Sequence, residues 1–139
     1  MIELGLGSAM STATPNAFFA RWIDHSTWPN WSPDTEWVRL DGPVGVGTRG
    51  VLKPKAGPKI KFVISTCAAD CEYTDTALLP GARLVFQHTV EEVEGGSKLR
   101  VRVTIEGFLA VFWAKVMGGS FRHSVQADLN RLVRIVEKV

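Results

Sequence analysis

The chain has 139 residues, 45% of them hydrophobic and 22% charged, with 16 Lys and Arg against 14 Asp and Glu. That length fits one domain, expected over residues 1–139, and the composition excludes a disordered tail, a collagen and a disulfide scaffold. A net charge of +2 is too slight to predict binding to nucleic acid or to an anionic membrane. The aromatic residues are skewed, with five Trp and seven Phe against one Tyr. The N-terminal Met1-Ile2-Glu3 shows neither a basic leader nor a long apolar run, and nowhere is there a stretch of about 20 apolar residues. A cytoplasmic location and no integral membrane association are the expectations. Cys67 and Cys71 lie four positions apart, which is neither CxxC nor part of a zinc cluster, so two free thiols and no metal are expected.

Residues 2–12 alternate loosely through Ile2, Leu4, Leu6, Ser8 and Met10, as a first strand with one apolar face. Thr14 is placed as a helix N-cap and Pro15 at the first helical position. Asn16 to Asp24 carries Phe18, Phe19, Trp22 and Ile23 at helical spacing. In Trp28-Pro29-Asn30-Trp31-Ser32-Pro33 two prolines forbid a regular helix, leaving a short helical turn or structured loop anchored by two Trp.

Six strands follow, at Glu36–Leu40, Thr48–Lys53, Lys59–Ala68, Glu72–Leu79, Arg83–Glu92 and Lys98–Glu106. The third of these alternates Ile60, Phe62 and Ile64 against Lys59, Lys61 and Val63. The fifth puts Leu84, Phe86, His88 and Val90 on one face, and the sixth puts Leu99, Val101, Val103 and Ile105 there. Turn signals such as Pro80-Gly81 and Gly95-Gly96 join the strands closely, so the sheet is antiparallel. After Gly107 apolar residues recur every three or four positions from Phe108 to Val136, predicting a helix of up to about 30 residues. Gly118-Gly119 inside it predicts a kink or break. The fold class is therefore α+β: a strongly curved seven-stranded antiparallel sheet wrapped around a long C-terminal helix, with one or two short helices between strands 1 and 2. Such a sheet tends to leave a cavity against its helix.

Three motifs match a known pattern. They are Ala13-Thr14-Pro15 leading through Phe18-Phe19 to Trp28-Pro29-Asn30-Trp31-Ser32-Pro33, then Val46-Gly47-Thr48-Arg49-Gly50, and then Val103 to Ala110 passing from the last strand into the long helix. In their order and spacing the chain resembles the SRPBCC superfamily, also called START-like or helix-grip, and within it the polyketide cyclase/dehydrase-like group. The resemblance implies the helix-grip fold. It implies no single reaction, because the superfamily looks like a collection of lipid carriers, hormone receptors and aromatase/cyclases.

The candidate site residues divide by chemistry. Gly45-Val46-Gly47-Thr48-Arg49-Gly50 matches GxGxxG but runs into a strand, so the glycines serve a turn and bulge and no nucleotide cofactor is expected. His25 is read as a surface or capping residue and His123 as part of the polar side of the last helix. His88 shares the face of Leu84 and Phe86, either as a hydrogen-bonded core residue or as a ligand contact or general acid/base. Asp75 is of functional interest if it faces inward near Arg49 or His88. With Tyr73, these make the candidate catalytic set of His88, Asp75, Arg49 and Tyr73. The candidate lining of a hydrophobic pocket is Trp28, Trp31, Trp37, Phe62, Ile64, Leu84, Phe86, His88, Val101, Val103, Phe112, Val116 and Phe121, although each aromatic also fits plain core.

Three functions compete. The first is binding of a small hydrophobic molecule such as a lipid or polyketide between sheet and helix. The second is a polyketide aromatase/cyclase working by acid/base chemistry in the same cavity. The third is a protein-interaction module presenting exposed Trp on the helical turn. No cofactor, metal or nucleic acid enters any of them, and the chain is expected as a monomer or homodimer.

Overall fold

A computed structural model describes residues 1–138; Val139, the last residue of the expected domain, lies outside the described residues. Seven strands form one antiparallel sheet: β1 (Ile2–Ser11), β2 (Thr35–Leu40), β3 (Arg49–Pro54), β4 (Ile60–Ala68), β5 (Glu72–Leu79), β6 (Ala82–Val93) and β7 (Gly96–Glu106). Their order across the sheet is β1-β7-β6-β5-β4-β3-β2, so every neighbour except β1·β7 is also a neighbour in sequence. Between β1 and β2 lie α1 (Pro15–Ile23), a 3-10 turn (His25–Thr27) and α2 (Trp28–Trp31). The long helix α3 runs from Ala110 to Glu137. Sequence alternation and observed burial agree: Leu99, Val101, Val103 and Ile105 are buried along β7 while Arg100 and Arg102 are exposed. This is the helix-grip architecture.

Pro15 opens α1 as expected, with Thr14 extended before it, although the Thr14 side chain makes no capping bond. The apolar face of α1 buries Phe18, Phe19 and Trp22. Trp28 and Trp31, at the ends of α2, are also buried, and the Trp28 indole N–H donates to the Trp22 carbonyl at 3.2 Å. These rings fill the space between the short helices and the sheet. Asp128 on α3 accepts a hydrogen bond from the Ser32 hydroxyl at 2.8 Å, tying α2 to the long helix.

α3 packs against β1 and β7, and touches β6 more sparsely. Gly5 makes this possible: a Cβ there would stand 2.8 Å from the Phe121 carbonyl oxygen and 2.8 Å from a Val125 methyl. Along β1 the Gln126 side chain takes the place of a missing strand, accepting from the Ser8 N–H at 3.0 Å and donating to the Ser8 carbonyl at 3.0 Å. Further along, the Glu137 carboxylate accepts from the Ser11 hydroxyl at 2.6 Å and from the Thr12 N–H at 3.3 Å. Edge strands need such covering, because their free N–H and C=O groups otherwise recruit other chains.

Two expectations are corrected. The helix continues through Gly118-Gly119 without the break that the glycines allowed; tertiary packing outweighs their weak helix propensity. Nothing in the structure explains why Gly119 is glycine, since a Cβ there would meet nothing within 4 Å. His25 is neither a surface residue nor a cap: it is 5% exposed, because the 3-10 turn folds it inward onto β5.

Candidate functional site

The inward positions of β5 and β6 carry the polar residues of an otherwise apolar concave face. Strand periodicity sends Tyr73, Asp75 and Ala77 inward from β5, and Leu84, Phe86 and His88 inward from β6. Register sets Tyr73 opposite His88 and Asp75 opposite Phe86, so Asp75 and His88 are diagonal neighbours. Tyr73 is fully buried, Asp75 is 4% exposed and His88 6%.

Hydrogen bonds join these residues. The Tyr73 hydroxyl donates to Asp75 Oδ2 at 2.9 Å and lies 2.8 Å from His25 Nε2. His25 stacks on Trp28 with centroids 4.5 Å apart and lies nearly parallel to Phe62 at 6.0 Å. His88 Nδ1 lies 3.1 Å from the Tyr73 carbonyl, a geometry that places the proton on Nδ1 and leaves Nε2 as an acceptor. The Trp22 ring stands 5.3 Å from that of His88, and its buried N–H has no acceptor among the described residues. An unsatisfied buried donor of this kind costs about 1–3 kcal/mol.

Burial dominates the electrostatics. It pushes the Asp75 carboxyl up to about 7, against the opposing pull of the Tyr73 hydroxyl. It pushes His88 down to about 4, against the Tyr73 carbonyl that accepts its proton. Burial also lowers His25, and burial followed by the Asp75 charge raises the Tyr73 phenol. At neutral pH the cluster thus holds a carboxyl near its midpoint beside a neutral imidazole. That pairing can donate a proton to, and accept one from, an oxygen placed against it.

Of the expected residues, the fold brings Tyr73, Asp75, His88, Phe62, Trp28 and Phe86 into one neighbourhood. Ile64, Leu84, Val101, Val103 and Trp31 belong to the same buried core. Phe121 reaches from α3 to Phe86, edge to face at 5.6 Å. Arg49 and Trp37 stand on the opposite, outer face, since β2 and β3 turn Leu40 and Gly50 inward. Phe112 and Val116 lie on the side of α3 turned from the sheet, 55% and 62% exposed. These four residues therefore do not share the concave surface. His25 was missed as a site residue because loop conformation, which no periodicity encodes, decides its direction.

Further apolar residues packed against the core are only half-buried. They include Leu40, Leu52, Ile60, Phe86, Met117 and Phe121. α3 packs chiefly on β1 and β7, and the inward Phe62 of β4 is covered instead by His25 of the 3-10 turn. A separate surface groove of about 400 Å³ runs between the start of β1 and the first half of α3, lined by Leu4, Val111, Lys115 and Arg122 among others. Among the described residues no group of three His, Cys, Asp or Glu is arranged for a metal ion, and no helix is long and apolar enough to cross a membrane.

A curved sheet gripping a helix over a mostly apolar concave face, with one buried polar cluster, defines the helix-grip class. Comparison with known proteins specifies the family: residues 7–137 match the model described as polyketide cyclase/dehydrase and lipid transport, and the chain belongs to that family. Among curated protein sequences none matches. The chain is similar to the NMR structure of the KanY protein, with 21% identity, 98% of this chain and 97% of that one covered, and a TM-score of 0.73. It is similar to the di-domain ARO/CYC StfQ from the steffimycin biosynthetic pathway, with 11% identity, 96% and 50% coverage and a TM-score of 0.77. It is also similar to the crystal structure of Ara h 8.0201, with 16% identity, 96% and 97% coverage and a TM-score of 0.68. At these identities the likeness shows the fold alone.

Proposed function

We propose that the protein binds a small hydrophobic molecule bearing at least one oxygen, held on the concave face between β3–β6 and α3. The observation that carries this reading is the buried Asp75–Tyr73–His25 chain with His88 beside it, the polar cluster on an otherwise apolar surface. Apolar walls with a few convergent polar groups are the general pattern of small-molecule sites. The half-buried Phe86 stands opposite Asp75 in register, and Phe121 packs on Phe86 from α3, so the two rings offer an apolar approach to the carboxyl. The family description, which joins cyclase and dehydrase activity with lipid transport, supports a hydrophobic ligand of either kind. Native mass spectrometry of protein purified from its own host tests the reading. A bound organic mass that is lost in Asp75→Asn/His88→Leu supports it; a clean apo mass, with no binding of an anilinonaphthalene sulfonate probe, overturns it.

A second reading is a dehydrating cyclase, favoured by the carboxyl raised to about 7 beside an imidazole lowered to about 4. His88 Nε2 would take a proton from a carbon next to a ketone, and the neutral Asp75 carboxyl would give one to the departing hydroxyl, releasing water. The two readings separate on Asp75→Asn: a carrier keeps its function with a shifted affinity, whereas an enzyme keeps its affinity and loses turnover.

A further inference from the structure

The outer face of the β2–β4 end carries an uncompensated charge. The outward positions of these strands, with the residue preceding β4, are Trp37, Arg39, Arg49, Val51, Lys53, Lys59, Lys61 and Val63, and none is a carboxylate. From residue 36 to residue 61 the cations Arg39, Arg49, Lys53, Lys55, Lys59 and Lys61 face only Glu36 and Asp41, a net +4 in a chain whose total is +2. The other end of the same face is neutralised, with Arg83 paired to Glu106 at 3.1 Å and Arg102 to Glu3 at 3.0 Å. Lys53 reaches Glu36 at 3.5 Å, but among the described residues Arg39, Arg49, Lys59 and Lys61 have no carboxylate within 4 Å.

Trp37 stands at the centre of this patch. The Arg39 guanidinium lies 5.1 Å from its ring centroid and the Lys59 ammonium 5.6 Å. Val51 separates Arg39 from Lys61 in register, and Val63 lies opposite Arg49. Like charges this close repel, and the contacts of Arg39 and Lys59 with the Trp37 ring offset that only in part.

We propose that the outer face of β2–β4 docks a protein partner through a carboxylate-rich surface. Charge complementarity sets the sign. Trp37, Arg39 and Arg49 are of the residue types that carry most of the binding energy at protein interfaces, and the lysines around them supply charge at the rim. A single-stranded nucleic acid fits less well, because the Trp37 ring is already engaged by two cations and offers no free stacking platform. A bilayer fits less well too, since the outer face of a curved sheet is convex and meets a plane over little area. The site is independent of the concave-face ligand, so it stands whether or not that reading holds.

Calorimetric titration with poly-L-glutamate tests the proposal, with amide chemical shifts used to map the contact. The expected result is binding whose affinity falls about tenfold as salt rises, with shifts confined to β2–β4. Arg39→Glu/Lys61→Glu weakens it at least about tenfold, and the neutral Arg39→Gln/Lys61→Gln does so by a smaller factor should the reversal fail to fold. Lys98→Glu/Arg100→Glu, on the outer face of β7, leaves it unchanged. Absence of poly-L-glutamate binding, equal loss in the β7 variant, or tighter binding to an oligothymidylate or to phosphatidylglycerol vesicles overturns the proposal.

Discussion

The Tyr73 hydroxyl lies 2.9 Å from Asp75 Oδ2, and the direction of that hydrogen bond depends on the proton of Asp75. With Asp75 ionised, Tyr73 donates to it and His25 must donate from Nε2 to the phenol oxygen. A neutral His25 then has no proton on Nδ1, which faces the Ile23 carbonyl at 3.3 Å. With Asp75 protonated, the carboxyl donates to Tyr73, Tyr73 donates to His25 Nε2, and Nδ1–H donates to Ile23. Each protonation state of Asp75 thus has its own arrangement of donors, so a proton gained or lost there is relayed through Tyr73 to His25.

Tyr73→Phe removes the link between Asp75 and His25. The expected loss of stability is about 1–3 kcal/mol by urea unfolding, because both partners stay buried. The Asp75 carboxyl should rise further, since the hydroxyl that opposes its upward shift is gone. Carbon-13 NMR titration of the carboxyl reads this directly, and an unchanged midpoint contradicts the assigned bond.

Asp75 also sets a pH dependence. Its folded value near 7 exceeds the ordinary 3.8, so the folded state binds more protons than the unfolded chain between those limits. The contribution is fully present below about 4 and is lost as pH rises through about 7. His88 acts oppositely, with a folded value near 4 against 6.5, so its contribution is lost as pH falls through that window. Above pH 6.5 the Asp75 slope stands alone. Urea unfolding at pH 5 and pH 8 should therefore show Asp75→Asn gaining on the native protein by a few kcal/mol, because each pH step of one between the two values is worth about 1.4 kcal/mol. A constant difference across that range rules out the buried, raised carboxyl.

Gln126→Ala uncovers the β1 edge at Ser8, removing two hydrogen bonds. A cost of about 1–2 kcal/mol is expected, with self-association at high concentration as the free edge finds another chain. Sedimentation velocity measures the second effect; a monomeric variant of unchanged stability contradicts the covering role.

Two glycines should respond in opposite ways. Gly5→Ala drives a methyl group against the Phe121 carbonyl oxygen and should cost about 1–3 kcal/mol. Gly119→Ala meets nothing within 4 Å and should stabilise α3 by about 1 kcal/mol. Thermal unfolding of both variants checks the pair.

The fold was legible because its information is periodic. The two-residue alternation of Lys59–Ala68 and Lys98–Glu106 and the three-to-four-residue spacing after Gly107 name both the element and its buried face. His88 was reachable by the same parity, but the inward direction of Asp75 was not, because Glu72–Leu79 has no clean apolar alternation to fix its face. His25 was not, since a 3-10 turn decides its direction, nor was the outward place of Trp37, whose strand is short and bulged near Thr35. Phe112 and Val116 satisfied a generous helical pattern while lying on its far side: apolar spacing every three or four residues covers more of a helix than the sheet can bury.

The closure of β1 has a kinetic consequence. Residues 2–11 pair with residues 97–105 and are sealed by Gln126 and Glu137, more than a hundred positions away for the helix contacts. The meander from β2 to β7 assembles from local hairpins, but the first strand made is among the last to be satisfied. Chain entropy must be surrendered over nearly the full length before those bonds form. Folding should therefore be limited by the docking of β1 and α3, and a partly synthesised chain should carry β1 unmatched until β7 emerges and with a bare outer edge until α3 follows.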